Sequence, residues 1–194
     1  MSNDDPDKYR FIEYHKWKFK AKIFSPLAPL TVKRTPVLMS RVEFGFLGMY
    51  DKNKKTPFET FYMGGDGMSA YTSYSTEYVS MRGYSSGSLT PYDVATGRNM
   101  GYLYNKFTME LRYPISLEQN ATIWVHGFLE AGNCFSDIKD YNPFNLKRSA
   151  GVGVRIFLPM FGLLGIDWGW GFDEINGSKQ YGGSQFHFVL GQEL

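Results

Sequence analysis

Apolar and polar residues alternate with a period of two along much of this chain. In Trp17–Ile23, Trp17, Phe19, Ala21 and Ile23 fall on one face, and Lys18, Lys20 and Lys22 on the other. Val42, Phe44 and Phe46 oppose Arg41, Glu43 and Gly45, and Phe107, Met109, Leu111 and Tyr113 oppose Thr108, Glu110 and Arg112. Ile123, Val125 and Leu129 oppose Thr122, Trp124, His126, Phe128 and Glu130. Val152 and Val154 face away from Gly151, Gly153 and Arg155, and Ile166, Trp168 and Trp170 away from Asp167, Gly169 and Gly171. The last such segment, 185–191, has Phe186, Phe188 and Leu190 on its apolar face. This period places the two sets on opposite faces of a strand. About seven antiparallel strands of roughly ten residues are predicted, the length that a tilted strand needs to cross a bilayer.

The links between these strands differ by side. Residues 114–121, with Pro114, and 157–165, with Pro159 and Gly162, predict short connections. Residues 50–100 and 133–146 are long, polar and rich in Gly, Tyr and Asn. A structureless loop as long as 50–100 is improbable in an ordinary compact domain. Short turns at one rim and long loops at the other suit a membrane barrel, with the longest loop folded into the lumen. A soluble antiparallel sandwich alternates in the same way. The strongly aromatic apolar faces, opposed by charges and glycines, favour the barrel.

Composition agrees. Aromatic residues make up 18% of the chain, with 14 Tyr and 16 Phe, and Gly contributes 21 residues, a mixture suited to strands and turns. The net charge of +2 gives no reason to expect a nucleic-acid partner. Cys134 is the one cysteine, which excludes an intramolecular disulfide. His15, His126 and His187 lack ligand spacing and read as ordinary barrel or surface histidines. The polar, acidic start is no signal peptide. The longest apolar run, 156–166, is broken by Pro159 and glycines and falls short of the ~20 residues of a transmembrane helix. No nucleophile–base–acid set, phosphate loop or metal spacing appears. The expectation is therefore a non-enzyme with no cofactor, no metal and no catalytic residue.

Four short segments, in order, resemble the family of outer-membrane assembly factors typified by BamA, within the bacterial surface antigen superfamily. Phe61-Tyr62-Met63-Gly64-Gly65 is similar to the Phe-x-x-Gly-Gly segment that leads into the long loop. Met81-Arg82-Gly83-Tyr84 is similar to the Val/Ile-Arg-Gly-Phe/Tyr turn at its tip. Phe128-Leu129-Glu130-Ala131-Gly132 resembles Phe-x-Asp-x-Gly on a late strand, and Phe186–Gly191 resembles the closing strand, here about 184–194. Three positions depart from the pattern. Met81 replaces a β-branched residue, Glu130 replaces Asp, and Leu194 ends the chain where an aromatic residue is usual.

The resemblance implies an all-β fold over residues 1–194, the C-terminal portion of a transmembrane barrel of about sixteen strands. It further implies that Arg82 meets a lumen carboxylate, Glu130 first and Asp167 second, so that exchanging the charges at 82 and 130 should partly restore function lost in Arg82→Ala. Glu110 and Arg112 are expected to neutralise each other. The closing strand, through Phe186, Phe188, Leu190, Gly191 and Leu194, doubles as an insertion signal. The implied location is the outer membrane of a Gram-negative cell. The implied partners are outer-membrane lipids, unfolded outer-membrane protein clients and accessory assembly lipoproteins of the full-length protein. The implied role is that of a fragment of an insertase working through a lateral seam. A translocation pore of the two-partner-secretion type and a soluble β-sandwich binding module are the alternatives.

Overall fold

The computed structural model describes residues 12–29, 31–32, 34–51, 55–67, 75–94, 96–176 and 178–191. Leu194 of the closing-strand signal lies outside them. The strands are β1 (Tyr14–Pro26), β2 (Val37–Met49), β3 (Phe61–Met63), β4 (Glu77–Val79), β5 (Tyr92–Asp93) and β6 (Arg98–Asn99). Then follow β7 (Leu103–Glu118), β8 (Ala121–Phe135), β9 (Lys147–Leu158), β10 (Gly162–Glu174) and β11 (Tyr181–Gly191).

The seven long strands form one sheet in the order β1-β2-β7-β8-β9-β10-β11, antiparallel throughout and open at both ends. Every predicted strand is present, at 11 to 16 residues rather than about ten. The extra length comes from the short links. β7 runs through Pro114 to Glu118 and turns at Gln119 and Asn120, so 114–121 is not a link. Pro114 is tolerated because the ladder shifts register between Pro114 and Ser116, where a missing N–H costs no pairing. The 157–165 link likewise shrinks to the three residues 159–161.

The two faces of the sheet differ as the alternation demands. One face leaves Trp17, Leu129, Val152, Ile166, Phe186, Phe188 and Leu190 more than half exposed. Large side chains left bare across one whole face of a sheet call for an apolar surround, and hydrocarbon supplies it. Phe44 of the same face is half-buried beneath Tyr141 of the 136–146 loop, with ring centroids 6.1 Å apart.

The opposite face is covered by the chain between β2 and β7. This segment carries structure of its own, contrary to the expectation of a featureless loop. β3 pairs in parallel with β4, β5 pairs with β6, and Gly65 bridges Met81. Its apolar side chains make the chain's buried core against the wall: Phe61, Met63, Val79, Met81, Tyr84 and Leu89 pack with Leu47, Tyr104 and Cys134. Phe61 stands edge-on to Tyr104 at 4.7 Å. The loop is thus fastened to the inner wall by ordinary hydrophobic burial, and its charged tip is delivered on that footing.

Candidate functional site: an arginine held on the inner wall

The segment 61–65 turns the loop toward the wall. Gly64 and Gly65 have φ of 128° and 77°, a region that residues with a Cβ rarely occupy. Gly65 donates its N–H to Tyr84 O and accepts from Met81 N–H, each at 3.0 Å, which closes the turn around residues 81–84. Met81 and Tyr84 are fully buried.

Gly83 (φ 84°) lies flat on β10. A Cβ there would stand 2.7 Å from Gly171 N and 2.8 Å from the Trp170 carbonyl carbon. The wall reciprocates with glycines, since a Cβ on Gly169 would stand 2.8 Å from Gly83 N, and one on Gly182 would stand 2.5 Å from Gly83 O. The alternating glycines of β10 are the groove into which the tip settles. Tyr84 finishes the contact where the β10–β11 ladder shifts register between Gly171 and Glu174. Its hydroxyl donates to Arg148 O at 2.8 Å and accepts from Asp173 N–H at 3.3 Å. Burial pushes the Tyr84 phenol up to about 12.

Arg82 reaches three strands. Its Nη2 donates to Glu130 Oε1 at 2.8 Å and to Glu110 Oε1 at 2.6 Å, while Nη1 donates to Asp167 Oδ2 at 3.1 Å. Its Nε and backbone N–H also donate to Glu130, at 3.1 Å and 2.8 Å. The guanidinium carbon lies 3.7 Å from the centroid of the Phe128 ring. Burial pushes the guanidinium pKa down, and the charges of Glu130, Glu110 and Asp167 outweigh burial, so the net direction is upward.

The second ring of partners neutralises the carboxylates. Lys106 Nζ is 3.1 Å from Glu130 Oε1 and donates to Ser80 O at 2.6 Å. Arg155 grips both oxygens of Asp167 at 2.5 and 2.6 Å, and His126 Nε2 is 3.1 Å from Asp167 Oδ1. A polar cavity of about 150 Å³ adjoins the cluster, lined by Arg41, Asp66, Ser80, Arg155 and His187 among others. The arrangement is a buried charge lattice of three carboxylates and the cations around them.

Arg82, Glu130 and Asp167 are therefore brought together. Glu110 corrects the expectation of a simple Glu110–Arg112 pair, for it binds both arginines. His126 and His187 are barrel histidines of the two readings offered, and both are buried at this cluster. Lys106 was not singled out from sequence, although its place two residues before Thr108 puts it on the inward face. Phe186, Phe188 and Leu190 point outward from β11, and Gly191 ends the strand.

The fold and the site together define a segment of β-barrel wall with an arginine-tipped loop docked on its inner face. The model of the Omp85 superfamily domain matches residues 11–194, and the chain belongs to that superfamily. A crystal structure of BamA from Haemophilus ducreyi lacking POTRA domains 1–3 is similar in fold, with a TM-score of 0.62 at 18% sequence identity. The match covers 91% of this chain and 35% of that one, so the chain spans about a third of the length of the solved protein. No curated protein matches this chain in sequence.

Proposed function

We propose that this chain is the C-terminal part of the barrel of an outer-membrane insertase, which folds and inserts outer-membrane proteins through a lateral seam. Membership of the Omp85 superfamily supports the outer-membrane setting. The observation that carries the reading is the loop tip seated on the inner wall, with Arg82 shared among Glu110, Glu130 and Asp167. A rigidly braced wall suits a barrel on which a client strand adds by main-chain pairing. The work is strand exchange and local disturbance of the bilayer, without bond chemistry. Unfolded barrel proteins are the proposed clients, outer-membrane lipids the surround, and accessory lipoproteins the proposed partners of the full-length protein.

The test is reconstitution of the full-length protein in liposomes with an unfolded barrel client. Insertion of the client, lowered at least about tenfold by Arg82→Ala, agrees with the proposal. Export of a soluble passenger with no insertion of barrel clients would replace it with a secretion pore.

A further inference from the structure

The second contact of the loop tip is on β11. Gly83 donates its backbone N–H to His187 Nε2 at 2.9 Å, across 104 residues of sequence. Both residues are buried, with His187 4% exposed. An imidazole nitrogen that accepts an N–H carries no proton of its own, so the geometry requires Nε2 to be bare and the proton to sit on Nδ1. We infer that neutral His187 is a latch holding the Gly83 end of the loop tip to β11, and that protonation of its Nε2 opens the latch.

Protonation turns the acceptor into a donor facing another donor, so the hydrogen bond from Gly83 N–H is lost. The charged groups around His187 come from every neighbouring element. The tip brings Arg82 and the loop brings Asp66. β10 brings Asp167, which is His187's partner in the ladder; β9 brings Arg155, β8 brings Glu130 and, against Arg82, His126; β7 brings Glu110, and β2 brings Arg41. The cations among them oppose a further positive charge and the carboxylates favour one. Asp167 already takes Arg155, Arg82 and the His126 nitrogen, so little of its charge is left to compensate a new imidazolium. Opening is local. Arg82 keeps its own carboxylates, while the tip loses its hold on the last strand of the sheet. His187 is thus a positioning residue acting through the Gly83 backbone. The inference concerns the loop contact itself and stands apart from the proposed insertase activity.

The experiment is amide hydrogen exchange of residues 81–84 in the full-length protein in lipid nanodiscs, corrected for intrinsic rate, from about pH 8 to about pH 5, across the ordinary range of histidine titration. Wild-type protein should lose about tenfold protection at the tip as pH falls. H187Q, whose amide oxygen accepts at similar reach, should keep the tip protected without the step, and H126Q should retain the step. Uniform wild-type protection over the range, or a step that persists in H187Q, overturns the latch. If H187Q fails to fold, nitrogen-15 spectra of His187 in wild type decide the matter. A bare Nε2 whose titration coincides with the exchange step supports the latch. A protonated Nε2 at pH 8, or titration with no change in exchange, overturns it. Failure of client insertion bears on none of these readouts.

Discussion

Glu110 divides its carboxylate between two arginines: Oε1 accepts from Arg82 Nη2 at 2.6 Å, while Oε2 accepts from Arg112 at 2.7 and 2.9 Å. Arg82 is therefore held by a set of carboxylates, and no single pair defines its place. Removing the arginine strips Glu110, Glu130 and Asp167 of their shared cation, leaving Lys106, Arg112 and Arg155 beside them.

This changes what a charge exchange should do. Arg82→Ala is expected to destabilise the docked loop by about 3–5 kcal/mol, the usual cost of breaking a buried ion pair. Arg82→Glu combined with Glu130→Arg is expected to give no rescue, because a glutamate at 82 would meet Glu110 and Asp167. Limited proteolysis within residues 75–94 checks both, and recovery of wild-type resistance by the double variant would show that Glu130 alone holds the arginine.

Gly83→Ala should displace the tip although it adds one methyl group. Its φ of 84° is strained for alanine, and the new Cβ would sit 2.7 Å from backbone nitrogen on β10, which cannot move without breaking the ladder. A loss of about 1–3 kcal/mol is expected, larger than for Gly97→Ala, where the nearest atom is 3.8 Å away. Thermal unfolding of the two variants checks the order.

Tyr84 supplies an alkaline test. Its phenol is raised from the ordinary 10 to about 12, chiefly by burial, so the folded state favours the neutral form. That contribution is complete below pH 10 and is lost as pH rises through about 12. Ultraviolet titration should therefore show a late phenolate step that disappears in Tyr84→Phe. The same variant should lose about 1 kcal/mol with the hydrogen bond to Arg148 O.

Glu77 supplies an acid test. It ties β4 to β1 through Lys16 at 2.9 Å and Lys18 at 2.8 Å. Burial pushes its carboxyl up, and Lys18 and Lys16 together outweigh burial, so its pKa lies below the ordinary 4.5. The depressed value means that its stabilisation is present above pH 4.5 and fades as pH falls through the folded-state pKa. Protease resistance of the loop should fall at that acid edge in wild type, and Glu77→Gln should be weaker at neutral pH without that particular decline.

The strands were legible because a two-sided wall writes itself as alternation, and their aromatic outer faces separated a barrel from a sandwich. The reach of Arg82 to Glu130 and Asp167 was legible through short motifs. The Glu110 contact was not, because Arg112 two residues on offered it a nearer partner. His187 lay hidden between Phe186 and Phe188, where only the register of β11 against Asp167 shows that it meets the loop. Pro114 misled because a proline usually ends a strand, and a register shift that accommodates it leaves no mark in composition.

The central claim is that one face of this sheet meets hydrocarbon while the other receives the loop. Its most direct measure is fluorescence quenching by lipids with brominated acyl chains, in single-tryptophan variants of the full-length protein. Trp17, Trp168 and Trp170 stand on the outer face at 68%, 39% and 46% exposure, whereas Trp124 shares the inner face with His126 and Phe128. Strong quenching of the first three, with Trp124 spared, is the predicted result. Trp168 and Trp170 shielded from the acyl chains, or Trp124 quenched as strongly as they are, would contradict it.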